Sequence, residues 1–157
     1  MKRAMVVVLA LGLLLASSAG SYGGEFSDRA VAYGFNPRFN LTVVYVKVPG
    51  HADNCVVSGF APGNVSFNQS VGCNKVDIKF AVGTATVDAN VATSLGTTIR
   101  VNVSWTSSAG MQNKSVGFVN PPRTLGIGSK VATVTGTIGS FTVTNANAEL
   151  SQRNIVP

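Results

Sequence analysis

After residue 40, apolar side chains alternate with hydroxyl and amide side chains over most of the chain, at the two-residue period of a half-buried β-strand. The clearest run is Thr97 to Thr106, where Ile99, Val101, Val103 and Trp105 occupy one phase and Arg100, Asn102 and Ser104 the other. Leu41 to Val48 is β-branched on both phases, which predicts a central strand. Pro49 and Gly50 end it, Cys55 to Phe60 reads as the next strand, and Ala61 to Asn64 as a turn. Val76, Ile78 and Phe80 oppose Asp77 and Lys79, and Ala85, Val87, Ala89 and Val91 oppose Thr84, Thr86, Asp88 and Asn90. Gly83 between these two segments permits either one bent strand or a tight pair.

Ser107 to Ser115 reads as a loop and Val116 to Val119 as a short edge strand, with Pro121 and Pro122 expected to block a ladder. Lys130 to Ile138 and Phe141 to Thr144 form an expected hairpin across Gly139 and Ser140. The apolar phase then slips from Phe141 and Val143 to Ala146, Ala148 and Leu150, which predicts a β-bulge near Thr144 and Asn145. No helical period is sustained after Ala19. The expected fold is therefore all-β, an antiparallel sandwich of immunoglobulin-like architecture, with a closed barrel as the alternative. The order Cys, Cys, Trp differs from the Cys, Trp, Cys order of true immunoglobulin domains.

Val101 to Trp105, Ala132 to Ile138 and Ala146 to Leu150 together resemble the C-terminal half of small uncharacterised exported bacterial β proteins. The resemblance covers about a third of the chain by its pattern of alternation. It implies a secreted β-sandwich and no particular activity.

The first twenty residues change the picture of where the fold operates. Lys2 and Arg3 precede a thirteen-residue apolar run, Ala4 to Ala16, and Ser17 to Ala19 supply small residues for a peptidase. This is the pattern of a secretory signal helix, too short for the roughly 20 residues of a spanning helix. The expected organisation is a signal peptide over 1–19, a flexible lead-in over 20–39 with one short element near Asp28 to Tyr33, and one β domain over 40–157, secreted or held in the cell envelope with no membrane span after cleavage. In an oxidising compartment Cys55 and Cys73, the only cysteines, are expected to form a disulfide. A metal or redox pair fits poorly, since the spacing is not C-x-x-C and His51 is the only histidine.

Charged residues make up 11% of the chain, which leaves Thr, Ser and Asn to solvate the outward strand positions. Beyond Ala19 there are ten basic and six acidic residues, with no basic run and no interleaved aromatics, so a nucleic-acid partner is not expected. His51 with Asp53 and Ser58 or Ser66 contains the residue types of a triad, but no G-x-S-x-G elbow accompanies them. Asp77 and Asp88 could approach one another, although solvation of strand faces is the commoner role. No D-x-D-x-D-G cluster suggests calcium, and Gly126 to Gly128 lacks the context of a phosphate loop. Five N-x-S/T sequons, at Asn40, Asn64, Asn68, Asn102 and Asn113, follow from the Asn- and Thr-rich composition. The chemistry that remains is recognition. Tyr33, Phe35 and Phe39 crowd a segment that also holds Asn36, Pro37 and Arg38, and Arg123 lies in a Pro-rich turn. These residues are the candidate contacts for an extracellular protein or polysaccharide, in a protein with no catalytic site and no cofactor.

Overall fold

The alternation in the sequence is realised as a curled antiparallel sheet in the computed structural model of the chain, which describes residues 25–107, 112–119 and 122–156, with side chains over 26–107 and 126–154. The strands are β1 Glu25–Phe35, β2 Arg38–Lys47, β3 Asn54–Ala61, β4 Val65–Val71, β5 Val76–Lys79, β6 Thr84–Ala92, β7 Thr98–Ser107, β8 Gln112–Val119, β9 Pro122–Ile138 and β10 Phe141–Val156. A single 3-10 turn, Cys73–Lys75, joins β4 to β5. The proposed signal helix over 1–19 lies outside the described residues. Among the described residues no helix is long and apolar enough to cross a membrane.

Every pairing is antiparallel, in the order β4-β3-β2-β1-β10-β9-β7-β6-β5, and β8 pairs with β9 off this path. The expected two sheets of a sandwich are one continuous sheet here, curled into a half-barrel. Its concave side holds the core: Leu41, Val43, Val57, Val87, Val91, Val101, Val103, Trp105, Val134, Ile138 and Leu150 are all nearly fully buried. In β6 and β7 buried and exposed residues alternate along the strand, as period-2 burial requires. At one place the curl returns on itself. Phe67 of β4 bridges Thr93 just beyond β6, and the Ser94 N–H donates to the Ser66 carbonyl at 2.8 Å.

Several expectations are corrected. Residues 25–39, expected to be a flexible lead-in, form β1 and the start of β2, and β1 lies mid-sheet between β2 and β10. Its inward phase is Asp28, Ala30, Ala32 and Gly34, small or polar residues that hide the period. The size of Trp105 accounts for this choice. From β7 its indole N–H crosses the core to donate to the Val31 carbonyl at 3.0 Å, so β1 presents little more than backbone and methyl groups beneath the largest side chain in the core. Of the two arrangements left open for Val76 to Val91, the structure takes the tight pair, β5 with β6. The expected loop over 107–115 includes the start of β8, while 108–111 lie outside the described residues. Pro122 does not block the ladder but opens β9, pairing with Val119 at a strand start where its missing N–H is tolerated.

Cys55 and Cys73 are bonded, with Cα atoms 5.3 Å apart, and tie the start of β3 to the 3-10 turn. Closing a loop of this length stabilises a fold by about 3 kcal/mol in the chain-entropy picture. The expected bulge is also present. The β9–β10 register shifts between Val143 and Ala146, and Asn145 takes a positive φ of 48°.

Candidate functional site

The β1–β2 hairpin sorts its three aromatics by strand phase. Tyr33 and Phe35 sit two residues apart on the convex face, with Tyr33 40% and Phe35 84% exposed. Their rings meet edge to face, centroids 6.1 Å apart at 71°. Phe39 has the opposite phase, is buried, and packs on Phe141 at 5.3 Å. It therefore belongs to the core and is removed from the contact set. The hairpin is closed by Asn36 and Pro37, which place Arg38 directly across from Phe35. The Arg38 guanidinium lies 5.4 Å from the centre of the Phe60 ring on β3, within cation–π range. Phe60 faces outward because it is in step with Val56 and Ser58, while Cys55 and Val57 face the core.

This end of the sheet thus gathers Tyr33, Phe35, Arg38 and Phe60, with Asn40 and Asn147 paired on either side of Tyr33. Beside it a hollow of about 420 Å³ is lined by Arg38, Phe60 and the turn from Pro62 to Asn64. Arg123 lies near the start of β9, paired with Phe118, and its side chain is outside the described set. Phe60 is the contact that the sequence left unmarked. The signal for it was the break in β3 alternation, where a large apolar residue follows Gly59 on the polar phase.

Other candidate chemistry is dispersed. His51 sits in the turn after β2, its N–H donating to the Val48 carbonyl at 3.0 Å. The Asp53 carboxylate accepts the Tyr45 hydroxyl at 2.6 Å, a bond that holds the Tyr45 phenol above its ordinary pKa. No side-chain hydrogen bond links His51 to Asp53, Ser58 or Ser66. Asp77 and Asp88 both line a shallow depression of about 220 Å³, yet each is taken by its own cation: Asp77 by Lys79 at 2.7 Å and Asp88 by a two-pronged contact with Arg100, both prongs 2.8 Å. The Arg100 hydrogen bonds lower the Asp88 pKa, and Lys75 adds to the same effect through its charge. Among the described residues no group of three His, Cys, Asp or Glu side chains is placed to hold a metal ion. Gly126, Ile127 and Gly128 lie within β9 against β10, so they form ladder and not a loop.

No protein-family model matches this chain, and neither a curated protein nor a solved structure matches it.

Proposed function

We infer that this protein is an exported, non-catalytic binding module. The curled sheet serves as a sandwich-like scaffold, its two walls packed face to face over one core, and the β1–β2 tip engages a partner. One observation carries the reading: Phe35, 84% exposed, stands beside Tyr33 at a hairpin tip whose other strand supplies Arg38. Tyr, Phe and Arg are the side chains that anchor protein interfaces, and a rigid hairpin presents them at low entropic cost. Export is supported by the N-terminal charge and apolar pattern and by the Cys55–Cys73 bond. The edge-to-face angle favours rings that insert into a protein surface over rings that lie flat on a sugar chain.

The test compares the full chain with a Tyr33→Ala/Phe35→Ala variant, using retention on immobilised extracellular proteins of the producing cell and on insoluble chitin and cellulose. The double substitution is expected to abolish protein retention without lowering the melting temperature. Variant-sensitive retention on polysaccharide alone would assign the tip to carbohydrate. Retention unchanged by the substitutions would remove the tip from function. Intact mass under non-reducing conditions tests export in parallel: a chain starting near Gly20 with no alkylatable thiol is expected, and a full-length chain with two free thiols would overturn it.

A further inference from the structure

The outer edge of β6 has a partner at each end and none between. Thr84 to Val87 pair with β5, and Thr93 bridges Phe67 of β4. Among the described residues no strand pairs with this edge from Asp88 to Ala92. Two flanking bonds fix which backbone groups face the gap. The Thr93 N–H turns inward to the Thr97 carbonyl at 2.8 Å, whereas the Ala92 N–H turns outward to Oε1 of Gln69 on β4 at 2.7 Å. Successive residues of an antiparallel strand direct their N–H and C=O groups to opposite sides. Asp88 and Asn90, in step with Ala92, therefore aim theirs into the gap. The Gln69 side chain does for Ala92 what a neighbouring strand would do for the other two.

Past the bridge the two edges diverge and leave a cleft of about 730 Å³, bounded by Gln69 to Val71 on one side and Asp88 to Asn90 on the other. Its walls are mostly amide, hydroxyl and backbone, which suits an occupant held by main-chain hydrogen bonds more than by apolar burial. Its lining carries two cations, Lys75 and Arg100, against one carboxylate, Asp88. Arg100 is engaged by Asp88, but Lys75, at the cleft wall, has no ion-pair partner among the described residues.

We propose that this cleft receives an extended peptide segment of a partner protein, which adds as a strand to the β6 edge at Asp88 and Asn90 and sets a carboxylate against Lys75. Strand addition to an open sheet edge takes its affinity from the main chain and its selectivity from flanking side chains. Here the selecting group is a cation that stands outside both ion pairs, so an acidic residue in the segment is favoured over a basic one. The site lies apart from the aromatic tip and does not rest on it.

Two measurements on the full disulfide-bonded chain test this. In the free protein, amide hydrogen exchange at Asp88 and Asn90 is expected to be fast while Ala89 and Val91, facing β7, are protected. Equal protection at all four would overturn the open edge. The second measurement uses a pool of acetylated pentapeptides with aspartate fixed at the centre and flanking residues varied. Retained peptides are expected to protect the Asp88 and Asn90 amides, to bind roughly tenfold more weakly to Lys75→Glu, and to bind Phe35→Ala unchanged. A pool with no retained member, binding that survives backbone N-methylation of the peptide, indifference to Lys75→Glu, or loss with Phe35→Ala would each overturn the proposal.

Discussion

Asp28 is the one buried carboxylate among the described residues. It occupies the inward phase of β1 at 4% exposure, with Gln152 Nε2 donating to its carboxylate at 3.0 Å. Burial pushes its pKa above the ordinary 3.8, and the Gln152 bond only partly offsets this. A carboxyl whose folded pKa exceeds its unfolded value holds its proton more tightly in the native state. Its contribution to stability is therefore greatest below 3.8 and is lost as the pH rises through the folded value. Asp28→Asn, which removes the charge and keeps the shape, is expected to raise the melting temperature at pH 7, with the gain disappearing below about pH 3.8. Asp88 has the opposite sign. Its lowered pKa gives a contribution present above the ordinary carboxylate value and lost as pH falls, so Asp88→Asn removes stability at pH 7 and none in strong acid. Melting curves of both variants from pH 3 to 8 check the pair, and a stabilised Asp88→Asn or a destabilised Asp28→Asn at pH 7 would contradict the reading.

At the scale of strands, Gly136 of β9 is required by a close approach. Its φ of 141° is one that other residues rarely adopt, and a Cβ there would run into the Asn102 carbonyl of β7. Gly136→Ala is expected to cost about 1–3 kcal/mol in denaturant unfolding, the usual penalty of overpacking. Gly126→Ala in the same strand, whose Cβ would meet nothing nearer than 3.8 Å, should stay within about 0.5 kcal/mol. Strands whose inward residues are large were legible in the sequence. β7 declared itself through Ile99 to Trp105, and the slip from Val143 to Ala146 marked the bulge in β10, because a phase error in a half-buried strand exposes apolar groups. β1 was legible only as a short element near Asp28 to Tyr33, since its inward Asp28, Ala30 and Ala32 make sense as a full central strand only once Trp105 and Gln152 are known to lie against it. The same limit applied to the tip. Tyr33 and Phe35 were visible as aromatics, but their separation from Phe39 required the strand phase, and Phe60 required the β2–β3 register.

For the whole molecule, the weakest closure is the contact of β4 with the far end of β6. Among the described residues β4 is paired along its length only with β3, and the return contact rests on Phe67, Ser66 and the Gln69 side chain. Phe67 is 5% exposed, so Phe67→Ala is expected to cost about 3–5 kcal/mol and to raise amide exchange first in β4 and around Thr93. Uniform exchange across the sheet would show that the seam is no weaker than the rest. The joining of the two halves has a different origin. β1 pairs with β10 from Glu25 opposite Ile155 to Tyr33 opposite Asn147, so strands from opposite ends of the sequence meet in the middle of the sheet. Among the described residues, the half built from β1 to β4 and the half built from β5 to β9 share one isolated bridge, Phe67 with Thr93, and no ladder until β10 arrives. A chain threaded through a narrow passage with its N-terminal end leading would thus hold its two halves together by little more than the small β4–β6 seam and the Trp105 bond until the sixteen residues of β10 emerged.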